Sequence, residues 1–388
     1  MARIKEFVSL LPDQAWFSDL LENAGLGHAE LKHKLEGRGE GGMGTGEIEL
    51  VDDELHLLVK AQKYVDQQAG AIYIYEQQSI SGSQFGIWAM ADVQDFVEGQ
   101  IVRHEDTLKE RAARLTEYRC CIGLEGAPVL LTYPSHGKIN DFISRITRGE
   151  AIATYRQGEK LHRLWKVEHH TDLNEIKNLF LEIPKVYVGD GHHRLAAARN
   201  LHSIENQRIM ALYVSTNDIK IAAFTRLVNL KPNFDAKAFI EQLKKIFVIS
   251  SVPSNKKYVP DRIHRFGMCL NDDWYQLDLK HDLQEMMQLA DVNILQQYVL
   301  APLLEIHSPE SDPRLICDPL EAIDKTLERS AAPNGRILFT VFRLSVFKLI
   351  EQADAGMTFP PKSSFIEPKV PYALILNAAS MMKRNHKK

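Results

Sequence analysis

Fifteen residues constrain this chain more than any others. From Lys185 to Arg199 it reads Lys-Val-Tyr-Val-Gly-Asp-Gly-His-His-Arg-Leu-Ala-Ala-Ala-Arg. The branched and aromatic run at its start has the pattern of a strand, and a helix is expected to begin near His192. Gly189-Asp190-Gly191 between them allows a tight turn and close backbone approach. A strand running through such a turn into a helix directs the N–H groups of the first helical turn at one point, which makes an anion site.

The charges sharpen this reading. His192, His193 and Arg194 fall in that first turn, where the helix dipole disfavours a cation by about 0.3–1 kcal/mol. An anion converts the penalty into an advantage, with Arg194 gripping a phosphate through two parallel hydrogen bonds. Asp190, beside the anion, is placed to hold Mg²⁺ or to orient a histidine. The plainer alternative is a solvated turn that happens to carry an arginine and two histidines. Zinc is a weaker use of these histidines. The adjacent pairs His192-His193 and His169-His170 diverge, and the chain has neither Cys-x-x-Cys nor His-Glu-x-x-His.

Composition excludes several classes. The chain has 388 residues, with 47 basic against 51 acidic side chains and a formal net charge of −4. Nucleic-acid and anionic-membrane binders carry a basic excess that is missing here. Cys120 and Cys121 are adjacent, and Cys269 and Cys317 stand alone. They read as reduced thiols rather than a disulfide framework. The opening residues have too short an apolar run for a signal peptide, and no stretch approaches the ~18 apolar residues of a membrane span. The expected location is the cytoplasm.

Strand and helix patterns alternate along the chain, which predicts an α/β or mixed α+β fold. Strands are expected over 71–76, 85–90, 128–133, 162–167, 185–190, 208–215, 219–227, 265–270 and 274–279. Helices are expected over 55–68, 93–115, 139–148, 172–182 and 293–304. The turn-rich stretch Ser250 to Pro260 reads as a linker between an N-terminal region, 1–249, and a C-terminal α/β region, 261–388. The glycine run within 37–46 invites a phosphate-loop reading. It lacks a Gly-Lys-Ser/Thr ending and carries Glu40, with Glu36 just before it, so a surface loop is expected.

Two further segments carry candidate chemistry. Arg103-His-Glu-Asp-Thr lies inside the expected helix 93–115, where His104, Thr107 and Arg111 would share one face and Glu105 would pair with Lys109. A surface ion pair is the plainer reading of Glu105. Near the C-terminus, prolines 360, 361, 368 and 371 shape an irregular loop that presents Lys362, Ser363 and Lys369.

Asp190-Gly-His-His-Arg, Arg103-His-Glu-Asp-Thr and Pro-Pro-Lys-Ser-Ser-Phe…Pro-Lys, in this order and spacing, resemble the family called domain of unknown function 1015. Leu161-His-Arg-Leu-Trp and Asp291-Val-Asn-Ile-Leu-Gln-Gln match as well. The resemblance covers residues 1–377. The Asp-Gly-His-His-Arg turn is similar to the phosphate-binding turn of the ParB/sulfiredoxin-like fold, which includes kinases of free serine. The resemblance therefore implies a ParB/sulfiredoxin-like nucleotide-binding core elaborated with a C-terminal α/β section. It implies ATP or ADP with Mg²⁺, and phosphotransfer to a small hydroxyl-bearing metabolite such as free serine. Gly191, His192, His193 and Arg194 would cradle phosphates, together with Arg226, Lys362 and Ser363. Asp190 would assist the metal, Glu105 or His104 would accept the hydroxyl proton, and Lys362 would offset developing charge.

The chain departs from the family pattern at three places. Ala223-Phe-Thr-Arg replaces a Pro-Thr-His-Arg stretch, so that Arg226 is retained and Thr225 takes the histidine position. Phe365-Ile-Glu stands where aromatic residues are usual, and the N-terminal Pro-Tyr-Asp is missing. A second reading is a nucleotide- or metabolite-binding regulator that uses the same turn without chemistry. A DNA-binding role of the ParB kind comes third, because no basic stripe is present. A homo-oligomer stays open.

Overall fold

Val129-Leu-Leu-Thr-Tyr133 is buried at all five positions, the signature of a strand flanked by neighbours and covered on both faces. In the structure, a computed structural model describing residues 1–22, 27–36, 45–105, 107, 109–201, 207–253, 257–329, 335–360 and 362–377, this strand lies inside a large mixed sheet. The sheet order is Ile101–Val102, Val186–Asp190, Val129–Tyr133, Arg208–Ser215, Gly82–Asp92, Ile72–Ser79, Lys160–Val167 and Ala153–Gln157. Ile4–Lys5 adds antiparallel to Gly82–Asp92. Parallel and antiparallel pairs mix around Val129–Tyr133, which runs parallel to Arg208–Ser215 and antiparallel to Val186–Asp190.

Two amphipathic helices cover this sheet. Gly137–Ile146 contributes Ile139, Phe142 and Ile143 to the core, and His170–Leu181 contributes Leu173, Ile176, Leu179 and Phe180. They pack with Val129, Leu131, Tyr133, Val186 and Val188 in one apolar cluster. Each large apolar side chain removed from water there adds roughly 1.5–3 kcal/mol. Phe180 meets the ring of Tyr213 edge-on at 5.0 Å.

The chain forms two compact units. The first comprises Met1–Arg103, Thr107–Ile219 and the stretch from Pro368 onward, and the second comprises Lys220–Glu367 with His104 and Glu105. The division falls at Ile219/Lys220, so the expected linker at 250–260 lies within the second unit. Its first residues belong to the strand Phe247–Val252, paired antiparallel with Asp273–Leu279. The second unit's main sheet runs Phe247–Val252, Asp273–Leu279, Arg265–Leu270, Arg336–Val341, Arg226–Asn229 and Leu315–Ile316. Its packed core includes Leu227, Cys269, Trp274, Ile323 and Leu338. A smaller ribbon pairs Lys220–Ala222 with Phe365–Glu367.

Local chemistry accounts for several departures from the expected elements. The expected helix 93–115 is two helices, Val93–Val97 and Lys109–Cys121, with a short strand, Ile101–Val102, between them. Asp92 caps the first helix by accepting the Gln94 N–H. Gly99, at φ 82°, then stops it in the left-handed conformation that ends many helices. The expected helical face of His104, Thr107 and Arg111 therefore does not form, because His104, Glu105 and Thr107 lie between the two helices. The expected helix 55–68 starts earlier, as Thr45–Lys60, and Tyr64–Asp66 is a strand. The expected strand 219–227 is split into Lys220–Ala222 and Arg226–Asn229, which pair in different sheets. Residues 37–44 of the glycine run lie outside the described residues, and Thr45 and Gly46 open the helix Thr45–Lys60. Among the described residues, no helix is long and apolar enough to cross a membrane.

Candidate functional site

The strand Val186–Asp190 pairs parallel with Ile101–Val102 and antiparallel with Val129–Tyr133, where the register shifts between Val188 and Asp190. This irregularity falls at Gly189, the residue with no side chain to place in the ladder. Gly191 follows at φ 90° and ψ 24° and is the N-cap of the helix His192–Arg199. A Cβ on Gly191 would lie 3.0 Å from Nε and Nη2 of Arg194 and 3.2 Å from the Cα of Val129. The glycine thus serves the turn twice, through its left-handed backbone and by letting Arg194 fold back over it. Gly191→Ala is expected to cost at least about 1 kcal/mol of stability from the backbone alone and to displace Arg194. The urea midpoint, compared with that of Gly99→Ala, measures the cost.

The turn collects cations around one carboxylate. Lys369 Nζ lies 3.1 Å from Asp190 Oδ2, and Arg194 Nη2 lies 3.9 Å from the same oxygen. Burial alone would raise the Asp190 carboxyl. Lys369, Arg194 and the Gly191 N–H overcome it and hold the group down to about 2. The helix has no acid in its first turn, and its N-cap makes no side-chain hydrogen bond. Lys369 completes this group. In sequence Lys369 is one residue of the proline-shaped loop, because nothing local ties it to a residue 179 positions earlier.

His192 faces elsewhere. It is 8% exposed and, with Leu195, Ala196 and Arg199 of the same helix and Phe96, Arg103 and Thr107, lines a hollow of about 30 Å³. His193 is half-buried. The expected cradle of Gly191, His192, His193 and Arg194 is therefore spread around the helix rather than gathered on one side of it.

The remaining expected residues belong to the second unit, where two motifs distant in sequence meet. His104 is fully buried, its Nε2 lies 3.3 Å from Ser364 Oγ, and its ring meets Phe359 edge-on at 5.9 Å. The Phe359 N–H donates to the His104 carbonyl, and half-buried Glu105 forms a parallel bridge with Phe359. Nearby in sequence, Lys362 adopts φ 61°, and its Nζ stands 5.7 Å from the centre of the Phe224 ring. Buried Arg226 donates from Nη2 to the Lys362 carbonyl at 2.9 Å, and Ser363 Oγ donates to the Pro360 carbonyl. Burial pushes the Cys317 thiol up, against the opposing pull of Arg226 and Lys362. Thr225 is buried and donates both its N–H and its hydroxyl to the Asp318 carbonyl. Arg226 and Ser363 thus shape the loop around Lys362.

Most of the chain matches an established sequence family. The family model described as "Protein of unknown function (DUF1015)" matches residues 36–300, and the chain belongs to that family. No curated protein matches it. Solved structures similar to this one include C-terminally truncated SbnI from Staphylococcus aureus, 13% identical, with a TM-score of 0.43 over 77% of this chain and 94% of that one. A free serine kinase in complex with AMP is 12% identical, with a TM-score of 0.37 over 74% and 88% of the two chains. A conserved hypothetical protein from Pyrococcus furiosus is 12% identical, with a TM-score of 0.37 over 74% and 93%.

Proposed function

We propose that this protein binds the phosphates of ATP or ADP at the Asp190–Arg194 turn and passes the terminal phosphoryl group to a small hydroxyl-bearing metabolite such as free serine. One observation carries the binding half. The first turn of His192–Arg199 holds Arg194 and no acid, and Lys369 is drawn to the same turn by Asp190. Cations at a helix N-terminus are unfavourable alone and favourable around an anion. In the transfer, the alcohol oxygen attacks the terminal phosphorus, the bond to the nucleotide's bridging oxygen breaks, and the shortened nucleotide departs. Glu105 accepts the hydroxyl proton, and Lys362 offsets the developing charge. Of the two candidate bases, His104 is fully buried, so the role falls to half-buried Glu105.

Asp190 does not fit as a Mg²⁺ ligand. Two cations already share its Oδ2, and a divalent ion there would face both. Its role in this reading is to hold Lys369 and Arg194 in place. That observation also favours a second reading, a regulator that binds nucleotide without chemistry, because a carboxyl held near 2 makes a poor base at neutral pH.

Thermal unfolding with ATP, ADP or inorganic phosphate, each with and without Mg²⁺, tests the binding half. A ligand at 100 times its Kd adds about 2.7 kcal/mol, and no shift with any of them overturns both readings. Arg194→Ala is expected to weaken ADP binding at least tenfold in calorimetry, since a hydrogen bond to a charged group contributes about 1.5–3 kcal/mol. Unchanged affinity would remove the turn from the site.

A further inference from the structure

We propose that a buried water molecule binds between His162 and Gln77 and completes a chain of hydrogen bonds, all running in one direction, across three strands of the first unit's large sheet. The proposal is independent of the nucleotide reading. Register brings the groups together. Gln77 of Ile72–Ser79 stands directly opposite Gln84 of Gly82–Asp92 on one side and His162 of Lys160–Val167 on the other. Such partners share a face of the sheet, with Cβ atoms about 4.5–5.5 Å apart. Tyr75, two residues before Gln77, lies on the same face, and its ring stacks on that of His162 with centres 6.0 Å apart. All four side chains are buried, the most exposed at 3%.

Two polar atoms in this row, His162 Nε2 and Gln77 Oε1, have no hydrogen-bond partner among the described residues. Buried polar atoms need partners, and ordered water is a common one. Each of the two residues is held at its other atom. Tyr75 Oη lies 2.8 Å from His162 Nδ1, and Gln77 Nε2 donates to Gln84 Oε1 at 3.4 Å. Gln84 Nε2 donates in turn to the Asp218 carbonyl at 2.6 Å. Burial holds the Tyr75 phenol well above its ordinary range. Burial and Lys160 push the His162 imidazole down to about 4, so at neutral pH it carries a single proton. The Tyr75 hydroxyl donates to Nδ1, which puts that proton on Nε2. The opposite tautomer would leave the Tyr75 O–H without an acceptor among the described residues. A water between the two atoms accepts from Nε2–H and donates to Gln77 Oε1. Every member from Tyr75 to the Asp218 carbonyl is then matched donor to acceptor, and each bond polarises the next. An ion does not suit the place, because Nε2–H would repel a cation and Gln77 Oε1 an anion.

Long-range proton–nitrogen-15 spectra of the full chain at pH 7 test the direction on the unaltered protein. The His162 proton is expected on Nε2, with a nuclear Overhauser transfer to water of long residence. A proton on Nδ1 would overturn the proposal, as would an Nε2 proton with no transfer to water. Oxygen-17 relaxation dispersion, which counts long-lived internal waters, tests the site. Gln77→Leu is expected to hold one fewer than wild type, and so is His162→Phe, which keeps a ring and removes both nitrogens. Gln78→Leu, on the opposite face of the same strand, is expected to hold the same number as wild type. An unchanged count in the first two variants would defeat the assignment.

Discussion

Glu105→Gln is expected to leave nucleotide affinity unchanged while lowering phosphotransfer at least about 10²-fold, the ordinary contribution of a positioned general base. Glutamine keeps the side chain's size and removes only its capacity to take a proton. The pairing of Glu105 with Phe359 is a backbone bridge, which the substitution does not touch. The check has two parts: calorimetry with ADP, and mass-spectrometric detection of the phosphorylated alcohol under single-turnover conditions. Equal turnover in variant and wild type would return Glu105 to a structural role. Nucleotide binding with no phosphorylated product from any small alcohol would favour the regulator reading instead.

The second large effect concerns stability. Asp291 is 6% exposed. Its Oδ1 accepts the His264 N–H at 2.9 Å, and its Oδ2 has no hydrogen-bond partner among the described residues. Burial raises the carboxyl to about 7, against the backbone N–H groups of His264 and Phe342, which pull it down. The folded state therefore keeps a proton that the unfolded chain releases near its ordinary value of 3.8. The contribution is fully present below that value and is lost as pH rises through about 7. At about 1.4 kcal/mol per pH unit, the loss across the window approaches roughly 4 kcal/mol. Asp291→Asn retains an acceptor for the His264 N–H and cannot ionise. Its urea midpoint is expected to exceed the wild type's at pH 8 and to vary less between pH 5 and 8. Parallel profiles for the two proteins would exclude Asp291 as the source.

Much of the first unit is legible locally. Lys160–Val167, Arg208–Ser215 and His170–Leu181 lie where their apolar periodicity places them, because each buries a face dictated by its own residues. The turn at Gly191 is legible for the same reason, since a left-handed residue between strand and helix calls for glycine. Gly99 was not. A single glycine inside a helical pattern can be tolerated or can stop the helix, and tertiary pairing decides between them. Here Ile101–Val102 docks beside Val186–Asp190, and the helix ends.

Residue chemistry and period alone determined that this chain would be mixed α/β and that a cationic helix start would follow its Gly-Asp-Gly turn. Only the tertiary structure decided which charges meet. Lys369 reaches Asp190 across 179 residues, and His104 reaches Ser364 across 260. The two compact units divide at Lys220, and the chain returns to the first at Pro368. Local sequence reports the conformation of a few neighbouring residues. Contacts between distant segments depend on how whole elements share a core, and no short stretch carries that information.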